Sequence, residues 1–205
     1  LAGWQSARLL GRLQKLTEAD AAFEAVLKRF PKAGEADKVL NEWAALHYDR
    51  ERYARGDEIL RRLVQDFPAS PLAGSARLSL AESDLIAGRT DQARSQFIAL
   101  ASATVEATAG KVAAADQKKA LEQSQLLQQR ALYQLIQIEL GAARWEGVRK
   151  FCEESQQRFP EGTYADENAV AWAEADFRLG DYKLAQERLL KLKARKDEPA
   201  LRQAA

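Results

Sequence analysis

The sequence predicts an all-α chain of stacked helix pairs, and three observations predict it. The first is composition. Eleven Gly and five Pro among 205 residues are too few for a loop-rich β fold, whereas Ala, Leu, Glu, Gln, Arg and Lys dominate, as long helices require. The second is a five-fold recurrence of one apolar set, and the third is a Phe-Pro stop that closes three of the copies.

The recurrent set reads Leu16, Ala19, Phe23, Val26; then Tyr53, Gly56, Leu60, Leu63; then Thr90, Ala93, Phe97, Leu100. It returns as Trp145, Val148, Cys152, Ser155 and as Tyr182, Ala185, Leu189, Leu192. Offsets of 0, 3, 7 and 10 place all four positions on one stripe of an α-helix. The leading positions step by 37 residues, except between Thr90 and Trp145, where the step is 55. Upstream of each copy lies a partner helix, clearest as Leu40, Trp43, Ala44, Tyr48 and as Ala169, Trp172, Ala173, Phe177. The small residue after each large one allows close approach.

Gly88-Arg89-Thr90-Asp91 and Gly180-Asp181-Tyr182 mark turns inside two pairs. There Gly ends one helix in the left-handed conformation and Asp is expected to cap the next. Phe30-Pro31, Phe67-Pro68 and Phe159-Pro160 close the second helices, because the residue before proline is driven out of the helical region. The expected repeats cover approximately 1–31, 32–68, 69–110, 111–160 and 161–197 of a single array. One pair cannot bury both of its faces, so the pairs must stack.

The segment 158–189, RFPEGTYADENAVAWAEADFRLGDYKLAQERL, resembles a tetratricopeptide repeat, with Ala173, the Gly180-Asp181-Tyr182 turn, Ala185 and Leu189 at matching positions. The period here is 37 rather than 34, a variant similar to repeats of bacterial envelope proteins such as the periplasmic Tol-Pal accessory protein and the outer-membrane β-barrel assembly lipoprotein. The resemblance covers the second, third and fifth copies best. The first copy departs from it at Ser6 and Gly11, and the fourth at Ser155. It implies a right-handed α-solenoid, a non-catalytic protein-binding scaffold and a location in the bacterial periplasm or envelope, with cytoplasm as the alternative.

The 18 residues gained between Thr90 and Trp145 equal five helical turns, which lengthen two antiparallel helices without rotating their packing faces. We therefore expect a lengthened second helix over 91–108, a lengthened first helix over 112–141, a turn near Gly110 and a protruding hairpin over approximately 100–128. Its Ala- and Gln-rich strip carries Val112, Ala115, Leu121 and Leu126. The hairpin either packs on itself or serves as a docking or dimerisation element.

Charge excludes several function classes. Lys plus Arg number 31 against 30 Asp plus Glu, a net charge of +1, so no global field favours nucleic acid or an anionic membrane. No apolar stretch is long enough to span a bilayer, and the N-terminal leucines, interrupted by Arg8 and Arg12, do not form a signal peptide core. A chain that begins at Leu1 and contains no Met reads as a piece of a longer protein.

The chemistry-bearing residues read as structural. His47 is the only histidine and has no sequence partner for catalysis, so a packed or half-exposed side chain is expected. Cys152, the only cysteine, occupies the position of Phe23, Leu60, Phe97 and Leu189 and reads as a core residue; no cofactor or metal site is expected. Trp43, Trp145 and Trp172 fall on packing stripes and are expected in the core. The basic stretch Lys191 to Lys196 suits a helix C-terminus.

The expected binding surface is the concave groove, lined by first-helix residues facing away from the second helices. These are Lys38, Asn41 and Asp49 in the second repeat, Leu78 and Glu82 in the third, Arg130, Tyr133 and Gln137 in the fourth, and Glu167, Val170, Glu174 and Arg178 in the fifth. An amide at Asn41 can satisfy a peptide backbone, and Tyr133 offers rigid apolar area. The expected occupant is another protein or a peptide segment; homo-oligomerisation through the hairpin is the alternative.

Overall fold

The computed structural model describes residues 2–31, 34–103 and 114–203. Among them lie ten α-helices: α1 (Ala2–Arg12), α2 (Leu16–Arg29), α3 (Ala36–Tyr48), α4 (Tyr53–Asp66), α5 (Ala73–Ile86), α6 (Thr90–Ala101), α7 (Ala114–Gly141), α8 (Trp145–Arg158), α9 (Ala165–Arg178) and α10 (Tyr182–Gln203). The five residues that lead the recurrent set, Leu16, Tyr53, Thr90, Trp145 and Tyr182, are each the first residue of an even-numbered helix. No described helix is long and apolar enough to cross a membrane.

The ends of the helices follow from local chemistry. At Phe30, Phe67 and Phe159 the backbone leaves the helix with φ of −134°, −132° and −138° and ψ of 60°, 57° and 61°, outside the helical region that the following proline disfavours. Inside each pair the turn passes through a left-handed residue, at Gln14, Glu51 and Ala143 as well as at Gly88 and Gly180. Only the two glycines adopt that conformation without cost. Asp181 does more than mark the turn, since its carboxylate pairs with Arg149.

The helices gather into two compact units, Leu1–Arg89 and Thr90–Ala205. In the first, α1 packs on α2, α2 on α3, α3 on α4 and α4 on α5. Its core holds Phe23, Leu40, Trp43 and Leu63, all at most 2% exposed, each contributing about 1.5–3 kcal/mol by burial. The Phe23 and Trp43 rings stack with centroids 5.9 Å apart. In the second unit α6 packs on α7, α7 on α8, α8 on α9 and α9 on α10, around Phe97, Leu132, Leu135, Ile136 and Val148. Small buried residues, Ala7, Ala44, Ala81 and Ala173, occupy one such position in four repeats, whereas the fourth repeat places the larger Ile136 there.

The expected hairpin is half corrected. α7 is lengthened as foreseen, but α6 stops at Ala101 and does not continue over 91–108. Its end is held from a distance: Arg158 donates to the orphan Ala101 carbonyl at 2.9 Å, and Gln128 holds the chain just beyond by donating to the Ala103 carbonyl at 2.5 Å, which ends the helix without a proline. The expected turn near Gly110 and the strip from 104 to 113 lie outside the described residues. Residues 117–123 of α7 are exposed, and Leu121 and Leu126 are about half exposed.

The tryptophan expectation also divides. Trp43 is core, whereas Trp145 and Trp172 are half-buried and each lies under a guanidinium, that of Arg178 at 5.3 Å and that of Arg188 at 3.3 Å from the ring centroid. Such pairs place a cation over the negative ring face.

Candidate partner-binding groove

In the first unit the odd-numbered helices line two adjoining cavities. One, of about 470 Å³, lies between α1 and α3 and is lined by Arg8, Gly11, Arg12, Glu42, Ala45, Leu46, Asp49 and Arg50, with Phe23. The other, of about 230 Å³, lies among α3, α4 and α5, lined by Asn41, Ala44, Ala45, Tyr48, Asp49 and Leu60 with Ser75, Ala76 and Ser79. Ala45 and Asp49, both exposed, line both, so the two cavities adjoin across α3 and together make up a trough over α1, α3 and α5. Its α1 end is tightened by Gly11, where an added Cβ would come within 2.9 Å of Leu46.

Polar groups are held in place along this trough. Glu42 accepts from Trp4 Nε1 at 2.8 Å and pairs with Arg8 Nε at 3.2 Å. Arg50 donates to the Gly11 carbonyl at 3.4 Å, and Lys38 pairs with Glu35 at 3.2 Å. Tyr48 donates to Asp57 at 2.5 Å; burial, then that hydrogen bond and the Asp57 charge, hold its phenol well above the usual tyrosine range, so the hydroxyl stays protonated and keeps this donation.

The sequence-derived groove residues are partly brought together. Asn41 and Asp49 line the trough. Lys38, exposed on α3, and Glu82, half-buried on α5, do not line either cavity. Leu78 is not a groove residue: it is 5% exposed and belongs to the core, because the third repeat puts an apolar side chain where the second has Asn41. Arg8, Arg12, Glu42, Ser75 and Ser79 were missed, since α1 departs from the repeat pattern and the serines carry no periodic signal.

In the second unit the ring of Tyr133 stacks on that of Tyr164 at 4.5 Å, which uses one face of the tyrosine in packing. Arg130, Gln137 and Glu167 are exposed and Val170 is 49% exposed. Glu174 and Arg178 pair at 3.5 Å beside an apolar groove between α9 and α10.

A second set of polar residues was not recognised as a set from the sequence, where only His47 was singled out, as a packed or half-exposed side chain. One position of the odd-numbered helices carries His47, Asp84, Glu139 and Asp176, all buried. In three cases it meets a fixed position of the preceding even-numbered helix: His47 Nε2 donates to Asp20 at 2.8 Å, Glu139 accepts from Arg94 at 2.6 Å, and Asp176 lies 2.9 Å from Arg149. Asp20 also accepts from Trp43 Nε1 at 2.6 Å. Asp84 is held instead by Arg89 at 2.7 Å, and Asp57 by Tyr48 and by Ser83 at 2.6 Å. Burial alone would raise the Glu139 pKa, but hydrogen bonds from Arg144 and Arg94 outweigh it and hold the carboxyl below its ordinary value. Gly147 makes room for this carboxylate, since an added Cβ would come within 2.5 Å of it.

His47 is thus a packed joint. Cys152 is equally structural: it is 1% exposed, its thiol donates to the Asn168 carbonyl at 3.4 Å, and burial pushes its pKa up to about 12, far from the thiolate a nucleophile needs.

Residues 1–33 match a family model described as tetratricopeptide repeat. This is the first copy, the one whose Ser6 and Gly11 depart from the expected bulk. No curated protein matches the chain in sequence. Solved structures share its fold at low identity. The crystal structure of MamA is 13% identical with a TM-score of 0.58, over 95% of this chain and 96% of that one. Nearly identical TPR-like repeats from Podosopora anserina are 14% identical with a TM-score of 0.56, over 97% and 95%. For pilF of Pseudomonas aeruginosa the values are 16%, 0.53, 94% and 74%. With its first 33 residues matching that family and its helices aligning with these structures from end to end, the chain has an all-α, tetratricopeptide-type repeat fold, one that generally mediates protein–protein interaction and is generally non-catalytic.

Proposed function

We propose that the chain is a non-catalytic scaffold that holds an extended segment of a partner protein along the α1, α3 and α5 faces of its first unit. The observation that supports this is that the two cavities adjoin on one face, with Ala45 and Asp49 lining both. An extended peptide brings unpaired backbone groups every few ångströms, and buried groups of this kind must be matched. Asn41 supplies both a donor and an acceptor, Ser79 a hydroxyl, and Asp49 an acceptor. Ala44, Ala45 and Leu60 provide an apolar floor, and Arg8 and Arg12 favour an acidic side chain of the ligand at the α1 end.

The location belongs to the same reading. On the resemblance of its 37-residue repeat to envelope proteins, we place the chain in the periplasm or envelope of a bacterium, within a larger protein or assembly; fractionation of the source cell tests this.

The test of binding is cross-linked co-purification from the source cell with the intact chain and with an Arg12→Glu, Asn41→Ala, Asp49→Ala variant. The expected result is one reproducible partner whose recovery falls about tenfold or more in the variant, while far-UV circular dichroism stays unchanged. Equal recovery of that partner by both forms would move binding out of the trough.

A further inference from the structure

At the position that holds Phe23, Leu60, Phe97 and Cys152, all at most 4% exposed, α10 has Leu189 at 48%. It lies in a groove of about 820 Å³ with Ala173, Phe177, Tyr182, Ala185 and Leu190. In the second repeat the corresponding face, Ala44, Tyr48 and Leu60, shares its cavity with Ser75, Ala76 and Ser79 of the next odd-numbered helix, α5. The α9–α10 groove is therefore the receiving half of an inter-repeat contact.

The complementary half is on α1. Repeat positions that turn α3 toward its predecessor, marked by Leu46 against Gly11 and Glu42 against Arg8, correspond on α1 to Leu9 and Gln5. Leu9 is 57% exposed, and Leu13, one turn on, 59%.

We propose that a second copy of this chain docks its α1 into the α9–α10 groove, head to tail, as α3 docks onto α1 and α2 within one molecule. The match holds position by position. Leu9 of the incoming helix, with Leu13 just past its end, meets Phe177, which is 57% exposed. Gln5 meets Glu174 where Glu42 meets Arg8, an amide against a carboxylate with no like charges opposed. At the buried joint, Leu10 faces Gln186 where Glu139 faces Arg94, so the contact buries no charge and avoids that desolvation penalty. Such a heterologous contact leaves a free face at each end of every dimer. This inference is independent of the trough.

The test is sedimentation velocity over a concentration series, with Leu9→Asp, Leu13→Asp, Leu189→Asp and Leu190→Asp variants, all at exposed positions, checked by circular dichroism. Wild type is expected to grow with concentration beyond a dimer, and each variant to weaken association about thirtyfold or more. The decisive sample mixes Leu9→Asp with Leu189→Asp protein. Each alone is expected to be monomeric, and the mixture to form a dimer and nothing larger, because one intact α1 and one intact groove remain. Wild type that stays monomeric, variants that associate like wild type, or a mixture that stays monomeric would overturn the proposal.

Discussion

The joint between α2 and α3 and the joint between α8 and α9 occupy the same positions of the repeat and are built with opposite chemistry. In the first, the even-numbered helix supplies the acid, Asp20, and the odd-numbered helix supplies His47 and Trp43 as donors. In the second, the even-numbered helix supplies the base, Arg149, and the odd-numbered helix the acid, Asp176, which Arg188 also holds at 2.6 Å. The backbone repeat fixes where a polar side chain is buried; it does not fix the sign of the charge. Exchanging the two would oppose Asp20 to Asp176, or Arg149 to His47. Each joint thus favours its own neighbour and penalises a wrong one, a register device inside a surface otherwise made of interchangeable Ala, Leu and Phe contacts.

The comparison breaks most visibly at Asp176. Asp176→Ala leaves two guanidinium groups facing an emptied buried site and is expected to lower stability by about 3–5 kcal/mol, read by urea denaturation. The equivalent change in the first joint, Asp20→Ala, strands the ring N–H donors of Trp43 and His47 and is expected to cost less, about 2–3 kcal/mol. An equal or larger loss at Asp20 would contradict the assignment of a charged joint to the second unit and a polar one to the first.

Glu139 sharpens the contrast through pH. Its carboxyl is held below the ordinary value in the folded chain, so its stabilisation is complete above the unfolded value of about 4.3 and is lost as pH falls through the folded value. Glu139→Gln is expected to cost about 1–3 kcal/mol at pH 7, less than a fully buried pair because both arginines are partly exposed. The difference from wild type should shrink as pH falls below about 4. A pH-independent difference would show that the carboxylate charge contributes nothing.

The smallest expected effect lies in the turns. Ala143 is left-handed at φ 52° where two other repeats place Gly88 and Gly180. Ala143→Gly is expected to raise stability by about 0.5–1 kcal/mol, the left-handed strain relieved less the entropy cost of glycine; a lower thermal midpoint would contradict it.

Much of this fold is legible in the residues. The first residue of α2, α4, α6, α8 and α10, the Phe-Pro stops and the glycine turns all follow from local chemistry that recurs in sequence. The end of α6 does not, because it is held by Arg158 and Gln128, brought there by tertiary packing. The joints were hidden for a different reason: His47, Asp84, Glu139 and Asp176 recur as polarity, not as identity, on a stripe read for its apolar members. In the groove, Asn41 and Asp49 were found by repeat position and Leu78 was misplaced by it, since one register position carries an amide in one repeat and a core leucine in the next.

The most direct test of the scaffold reading is a photo-crosslinking side chain placed at Ala45, an exposed residue that lines both cavities, compared with one at exposed Gln65 of α4. Irradiation in the source cell is expected to trap one partner through Ala45 and not through Gln65. Trapping of the same partner from both positions, or from Gln65 alone, would contradict a partner held in the trough.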